Sequence, residues 1–176
     1  MELPEQINTS RLALRRSTLG DLDFYFACGT DHRINRYMAW HAPKDRTEVR
    51  LLLEAMDRNW KNGVAFNYTI FRLSDGQRVG AIEPIPSDTK ASIGYVVTPE
   101  NWGKGYATEA IKCVIEKVFE NSNIRRFWTV CDIENPASAR VLQKCGLQLE
   151  GVLRKWRPSP NIGPEPRDCY CYSLVR

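Results

Sequence analysis

Residues 65–97 hold three strand-like runs in direct succession, "AFNYTIFRL", "RVGAIEPI" and "ASIGYVV". "SDGQ" (74–77) supplies the Asp-Gly of a hairpin turn, and "PSDTK" (86–90) joins the next pair. Strands joined this closely run antiparallel, because a parallel pair needs a crossover of about a dozen residues or more. An antiparallel meander therefore sits in the middle of the chain. It excludes a doubly wound parallel sheet, whose strands and helices alternate from the start.

The flanks read differently. "RLALRRS" (11–17) alternates Leu12 and Leu14 with polar neighbours, as a half-buried strand does. "TLGDLDFYFACGTDHRINRYM" is helical in composition, with Leu19, Leu22, Phe26 and Ile34 as expected core positions. Residues 45–63 form an amphipathic pattern in which Val49, Leu52, Leu53, Met56 and Trp60 recur at three and four, with Gly63 as the stop. After "TPENWGKG" a helix places Ala107, Ala110, Ile111, Val114, Ile115 and Val118 on one face. "RRFWTVCDI" (125–133) is a strand, and "NPASARVLQKCG" is a helix with Asn135 as N-cap, Pro136 at its first position and Gly146 as C-terminal stop. "LQLEGVLRKW" and "DCYCYSLV" close the chain as strands around the proline-rich loop "RPSPNIGPEP". The expected class is α+β, one domain over residues 1–176, with a mixed and highly twisted sheet.

Composition narrows the function. A hydrophobic fraction of 43% and a charged fraction of 26% are those of an ordinary globular domain. No run approaches the roughly 18 apolar residues of a membrane span, and the N-terminus lacks the pattern of a secretory signal, so a cytoplasmic protein without a membrane role is expected. The net charge of +4 lacks an interleaved aromatic pattern, which argues against a nucleic-acid partner. Six cysteines and two histidines, His32 and His41, show no zinc-like spacing, so no metal is expected and the thiols read as reduced and mostly buried.

"NWGKGYATEA" (101–110) is the stretch that points to chemistry. A strand, a glycine-containing loop and a helix together make an anion site, because free N–H groups converge at the helix start and the helix dipole adds positive potential. Gly103 and Gly105 would let a phosphate approach the backbone, and Lys104 adds charge. The same glycines could equally make a tight turn that packs the helix on the sheet. The Rossmann fingerprint fails at Thr108, and a Walker A loop is absent.

"GYVVTPENWGKGYATEAI" followed by "VCDIENPASARVLQKCGLQLEGVLR" resembles the GNAT superfamily of acetyl-CoA-dependent N-acetyltransferases, nearest the RimJ/RimL branch of ribosomal-protein N-terminal acetyltransferases. "TSRLALRRSTLGDLD" and "RDCYCYSLV" extend the likeness over nearly the whole chain. The resemblance implies a GNAT-like fold with six to seven strands and about four to five helices. It implies acetyl-CoA as acetyl donor and a primary amine as acceptor, either a protein N-terminus or a small molecule. The pattern Gln/Arg-x-x-Gly-x-Gly/Ala falls on Trp102, Gly105 and Ala107, with Trp102 departing from it. The amides of Gly103, Lys104, Gly105, Tyr106, Ala107 and Thr108 would then hold the CoA pyrophosphate. Backbone groups of Tyr95, Val96 and Val97 would bond the pantetheine arm as an added strand would, with an amide near Val97 facing the thioester oxygen.

Many family members use a tyrosine on the second helix as the acid. Here that position is Leu142, and Ser138 is the substitute, meeting the thiol sulfur. Asn135 would cap the helix and touch the pantetheine arm. Glu83 is the candidate base or amine-binding acid, with a solvent-facing strand acid as the other reading. Tyr95 is a second candidate for the acceptor side. His32, His41, Arg140 and Lys144 read as surface residues. The alternative function is a non-catalytic CoA-binding sensor or interaction module. A monomer or a homodimer fits the sequence, with "DCYCYSLV" as a possible pairing edge.

Overall fold

The computed structural model describes residues 1–176. Its strands are β1 (Gln6–Asn8), β2 (Leu12–Arg16), β3 (Tyr68–Arg72), β4 (Arg78–Ser87), β5 (Lys90–Val97), β6 (Arg126–Asp132), β7 (Gln148–Arg157) and β8 (Arg167–Val175). Its helices are α1 (Leu22–Thr30), α2 (His32–Asn35), α3 (Arg46–Lys61), α4 (Tyr106–Glu120) and α5 (Pro136–Lys144). All eight strands join one sheet in the order β1-β2-β3-β4-β5-β6-β8-β7. The α+β class, the meander and the helix count agree with the sequence reading, and the sheet has one strand more than the upper expectation.

That extra strand is β1, three residues paired through Ile7 with Leu14. It is too short to show an alternating pattern. The segment 18–38 is interrupted: a 3-10 turn over Leu19–Asp21 leads into α1, and Asp31 caps a separate α2. Leu19 therefore lies outside the core and is exposed, as is Leu52 on α3, whereas Ile34, Val49, Leu53 and Trp60 are buried. A stripe two residues wide suffices for α3, so Leu52 at its margin faces solvent. β8 is not an edge strand. It runs between β6 and β7, and the edges are β1 and β7.

The two faces of the sheet are covered differently. Ala110, Ile111, Val114, Ile115 and Val118 of α4 and Leu142 of α5 form one continuous core with Leu12, Leu14, Ile70, Ile82, Ile93 and Phe127. The start and stop of α5 are those the sequence signals. Asn135 Oδ1 accepts from the Ser138 amide at 3.1 Å, Pro136 occupies the first turn of α5, and Gly146 ends it at φ +87°. On the opposite face α1 reaches the sheet through hydroxyls: Tyr25 to Ser17 at 2.8 Å and Ser17 to Thr69 at 3.0 Å. α3 packs on α1 and sends Trp60 into the core beside Phe66 and Tyr68.

β5 and β6 are the only parallel neighbours, and they pair over three residues, Lys90–Ser92 with Arg126–Trp128. Thr129 Oγ1 then donates to the Ile93 carbonyl at 2.8 Å. Beyond that bridge, Gly94 to Val97 have no partner on β6 and the strands diverge. A wedge opens between them. α4 begins just beyond the end of β5, and α5 follows directly from β6.

Candidate active site

β5 forms one wall of the wedge. Ile93 O faces β6 through Thr129, and Val97 O accepts from the Trp102 indole Nε1 at 2.7 Å. Thr98 N, one residue on, turns the other way and donates to Val79 O on β4. Strand backbone groups alternate in direction. Tyr95 and Val97 therefore turn their N–H and C=O groups into the wedge, and Val96 turns its own toward β4. A Cβ added at Gly80 of β4 would run into the Val96 carbonyl.

The glycine loop closes the mouth of the wedge. Gly103 has φ +75° and Gly105 φ +81°. Open space surrounds a Cβ added at Gly103, and only Arg11 Nη2, at 3.4 Å, meets one at Gly105. Left-handed backbone, which costs other residues about 1–2 kcal/mol each, is therefore the reason for glycine here. Gly105 caps α4 with no side-chain bond. The six amides from Gly103 to Thr108 donate to no protein acceptor. Converging N–H groups of this kind, at the positive end of a fifteen-residue helix, fit an anionic group. Lys104 is exposed beside them.

Several residues that sequence reasoning missed hold this loop. Arg11 donates from Nη1 to the Lys104 carbonyl at 3.0 Å and from Nε to Glu109 Oε2 at 2.7 Å, with its guanidinium over the Tyr106 ring. Thr9 Oγ1 adds a bond to Glu109 at 2.6 Å. Burial pushes the Glu109 carboxyl up, but the bonds from Thr9 and Arg11 outweigh it and hold the group below its usual range. Arg72 Nη1 fixes Asn101, whose Nδ2 bonds Thr98. Glu109 lies 98 positions from Arg11, and no local pattern marks such a pair.

The candidate side chains divide between the faces. Tyr95 pairs with Ile82 across the β4–β5 ladder and so points to the α4/α5 side. There its hydroxyl lies 2.8 Å from Ser138 Oγ in the first turn of α5. Burial pushes the Tyr95 phenol well above its ordinary range, so it keeps its proton at neutral pH. Tyr95 thus belongs with Ser138 and not on the α1 side. Cys131 is close by, and burial pushes its thiol up to about 11, which leaves it un-ionised. Leu142 is completely buried and serves the core.

Glu83 pairs with Gly94 and lies on the other face, with Ala81 and Thr69. Burial raises its carboxyl above the usual range. It is not an open-surface acid. Asn67 is itself buried, and its Nδ2 has no acceptor. Tyr25 shares this neighbourhood, its phenol pushed up to about 12 by burial. His32, His41, Arg140 and Lys144 are exposed.

The β6–α5 turn is anchored separately. Asp132, fully buried, accepts from Arg167 at 2.5 and 3.1 Å and from the Glu134 amide at 2.9 Å. The Asn135 amide donates to the Asp132 carbonyl at 2.9 Å. This turn delivers both Asn135 and Ser138 to the wedge. All six cysteines are free thiols, five of them buried. No helix is long and apolar enough to cross a membrane.

Residues 11–148 match the acetyltransferase (GNAT) domain family. The chain is 28% identical over 173 residues to the uncharacterized N-acetyltransferase YoaA of Bacillus subtilis, covering 97% of this chain and 96% of that one. Among solved structures, the microcin C7 self-immunity acetyltransferase MccE, in complex with acetyl-CoA and AMP, superposes with a TM-score of 0.88 at 25% identity, covering 99% of this chain and 98% of that one. The ribosomal L7/L12 α-N-protein acetyltransferase RimL, in complex with coenzyme A, has a TM-score of 0.86 at 19% identity over 97% and 98% of the two chains. The chain is an acyltransferase of the GNAT family, with the fold of its RimJ/RimL-like members.

Proposed function

We propose that the protein transfers an acetyl group from acetyl-CoA to a primary amine by direct attack in a ternary complex. The observation that carries this is the wedge between β5 and β6, with free amides at its mouth and a different polar group on each face. MccE and RimL, whose structures hold acetyl-CoA and coenzyme A, share the fold.

Acetyl-CoA supplies a thioester, an acyl group already activated for attack. The amides of Gly103 to Thr108 hold its pyrophosphate, and Lys104 adds positive charge. The backbone of Tyr95 and Val97 bonds the pantetheine arm in place of the missing strand partner, while Val96 contributes its side chain. The Val97 amide faces the carbonyl oxygen and stabilises the charge that develops there. Asn135 keeps its Oδ1 on the Ser138 amide and has Nδ2 left for the arm. Ser138 meets the sulfur as it leaves. The amine enters from the α1 side, where Glu83 takes its proton.

Glu83→Gln tests the base. Its raised carboxyl means the acid limb of kcat/KM lies above the ordinary carboxylate range, with activity rising as Glu83 deprotonates. The variant is expected to lose about 100-fold in turnover and to lose that limb, keeping the one set by the amine. The assay follows release of CoA thiol with a panel holding a peptide with free N-terminal serine and a linear polyamine. An unchanged rate and profile would remove Glu83 from the reaction. Saturable acetyl-CoA binding without turnover on any amine would favour a binding module.

A further inference from the structure

We propose that Tyr95 is a positioning residue for the transfer step: its hydroxyl donates to Ser138 Oγ and leaves the Ser138 O–H free to point at the departing sulfur. The inference rests on the acetyl-transfer reading and deepens it. The two oxygens are 2.8 Å apart and only one of them can donate along that line. A phenol, with a pKa of about 10, is a far stronger acid than an aliphatic alcohol and is the better donor. A serine in a helix otherwise spends its proton on a backbone carbonyl of the preceding turn. With its oxygen already held by Tyr95, Ser138 keeps its own proton to donate.

The frame around the pair is rigid. The Tyr95 ring packs against the main core, and Ile82 lies across from it on β4. The Ser138 amide is fixed by Asn135. Leu142, one turn further along α5, is fully buried, and the phenol reaches this helix from the strand. Burial keeps the Tyr95 proton in place. No proton leaves Tyr95 in the step. The amine nitrogen bonds the acetyl carbon, the C–S pair stays on sulfur as thiolate, and Glu83 takes the ammonium proton. The Ser138 hydrogen bond stabilises the thiolate, which water then protonates.

A double-mutant cycle on the full chain tests this, with CoA release read on the best amine of the panel and acetyl-CoA affinity read by calorimetry. Tyr95→Phe keeps the ring and removes only the hydroxyl. It is expected to lower kcat about tenfold, the size of one oriented hydrogen bond, with acetyl-CoA Kd and thermal midpoint near wild type. Combined with Ser138→Ala it should fall no further than Ser138→Ala alone, because the phenol acts only through that oxygen. A wild-type kcat in Tyr95→Phe, or losses that multiply in the double variant, overturns the inference and leaves the acetyl-transfer reading standing. A wild-type rate in Ser138→Ala, or no transfer to any amine by the unaltered protein, overturns the reading and the inference together.

Discussion

Ser138→Ala is expected to lower kcat about 100-fold while acetyl-CoA binds as before, which matches the effect of deleting one donor aimed at developing charge. The separation follows from the structure. The pyrophosphate and the pantetheine arm would be held by backbone groups of the glycine loop and β5, and the alanine variant leaves all of these intact. Its amide still donates to Asn135, so the start of α5 keeps its cap. What is lost is a hydroxyl that would bond the sulfur only as charge builds on it, and an interaction confined to the transition state appears in kcat. The measurement is a Michaelis series in amine at saturating acetyl-CoA, with binding followed separately. Turnover within a factor of about two of wild type would show that Ser138 does not touch the reacting atoms, since each factor of ten in rate is about 1.4 kcal/mol of barrier.

Arg167→Ala is expected to destabilise the fold by about 3 kcal/mol, because it leaves a buried carboxylate without the counter-charge bonded to it. For a chain of this size that lowers the thermal midpoint by about 6–12 °C. Asp132 has no exposed side-chain surface, and Arg167 meets both of its oxygens. Burial pushes the Asp132 carboxyl up, and the Arg167 bonds more than reverse this, so its folded value is lowered. A lowered acid stabilises the native state above its unfolded pKa, about 3.9, and loses that contribution as pH falls through the folded value. Without Arg167 the carboxyl rises, so the variant carries its penalty at neutral pH and approaches wild type in acid. Urea unfolding at pH 7 and pH 3 checks both points. A loss under about 1 kcal/mol, or a deficit that does not change with pH, would contradict the account. The pair matters to chemistry because the Asp132 turn sets α5, and α5 carries Ser138.

Much of this architecture is legible in the sequence wherever the cause is local. The meander follows from "SDGQ" and "PSDTK", whose connections are too short for a crossover. The ends of α5 follow from Asn135, Pro136 and Gly146, three residue types with a backbone reason to stand at a helix terminus. The glycine loop is legible for the same reason, although positive φ, and not crowding, explains both glycines. What escapes is set by chain separation or register. β1 has three residues and no period to read. Arg11 and Glu109 meet only after the sheet has formed. The side on which Tyr95 and Glu83 fall depends on which residues of β4 and β5 lie opposite each other, and a shift of one residue would exchange the two faces. The sequence places Tyr95 on the cleft strand and Glu83 beside it without saying that one faces α5 and the other α1.

The most direct test of the central claim is a calorimetric titration of the purified protein with acetyl-CoA, with NAD as the control ligand. One saturable site for acetyl-CoA and none for NAD is the expected result, since the free amides from Gly103 to Thr108 stand beside a β5 edge left unpaired by β6. An absence of acetyl-CoA binding, or equal binding of NAD, would contradict it, and the glycines would then serve only to turn the chain into α4.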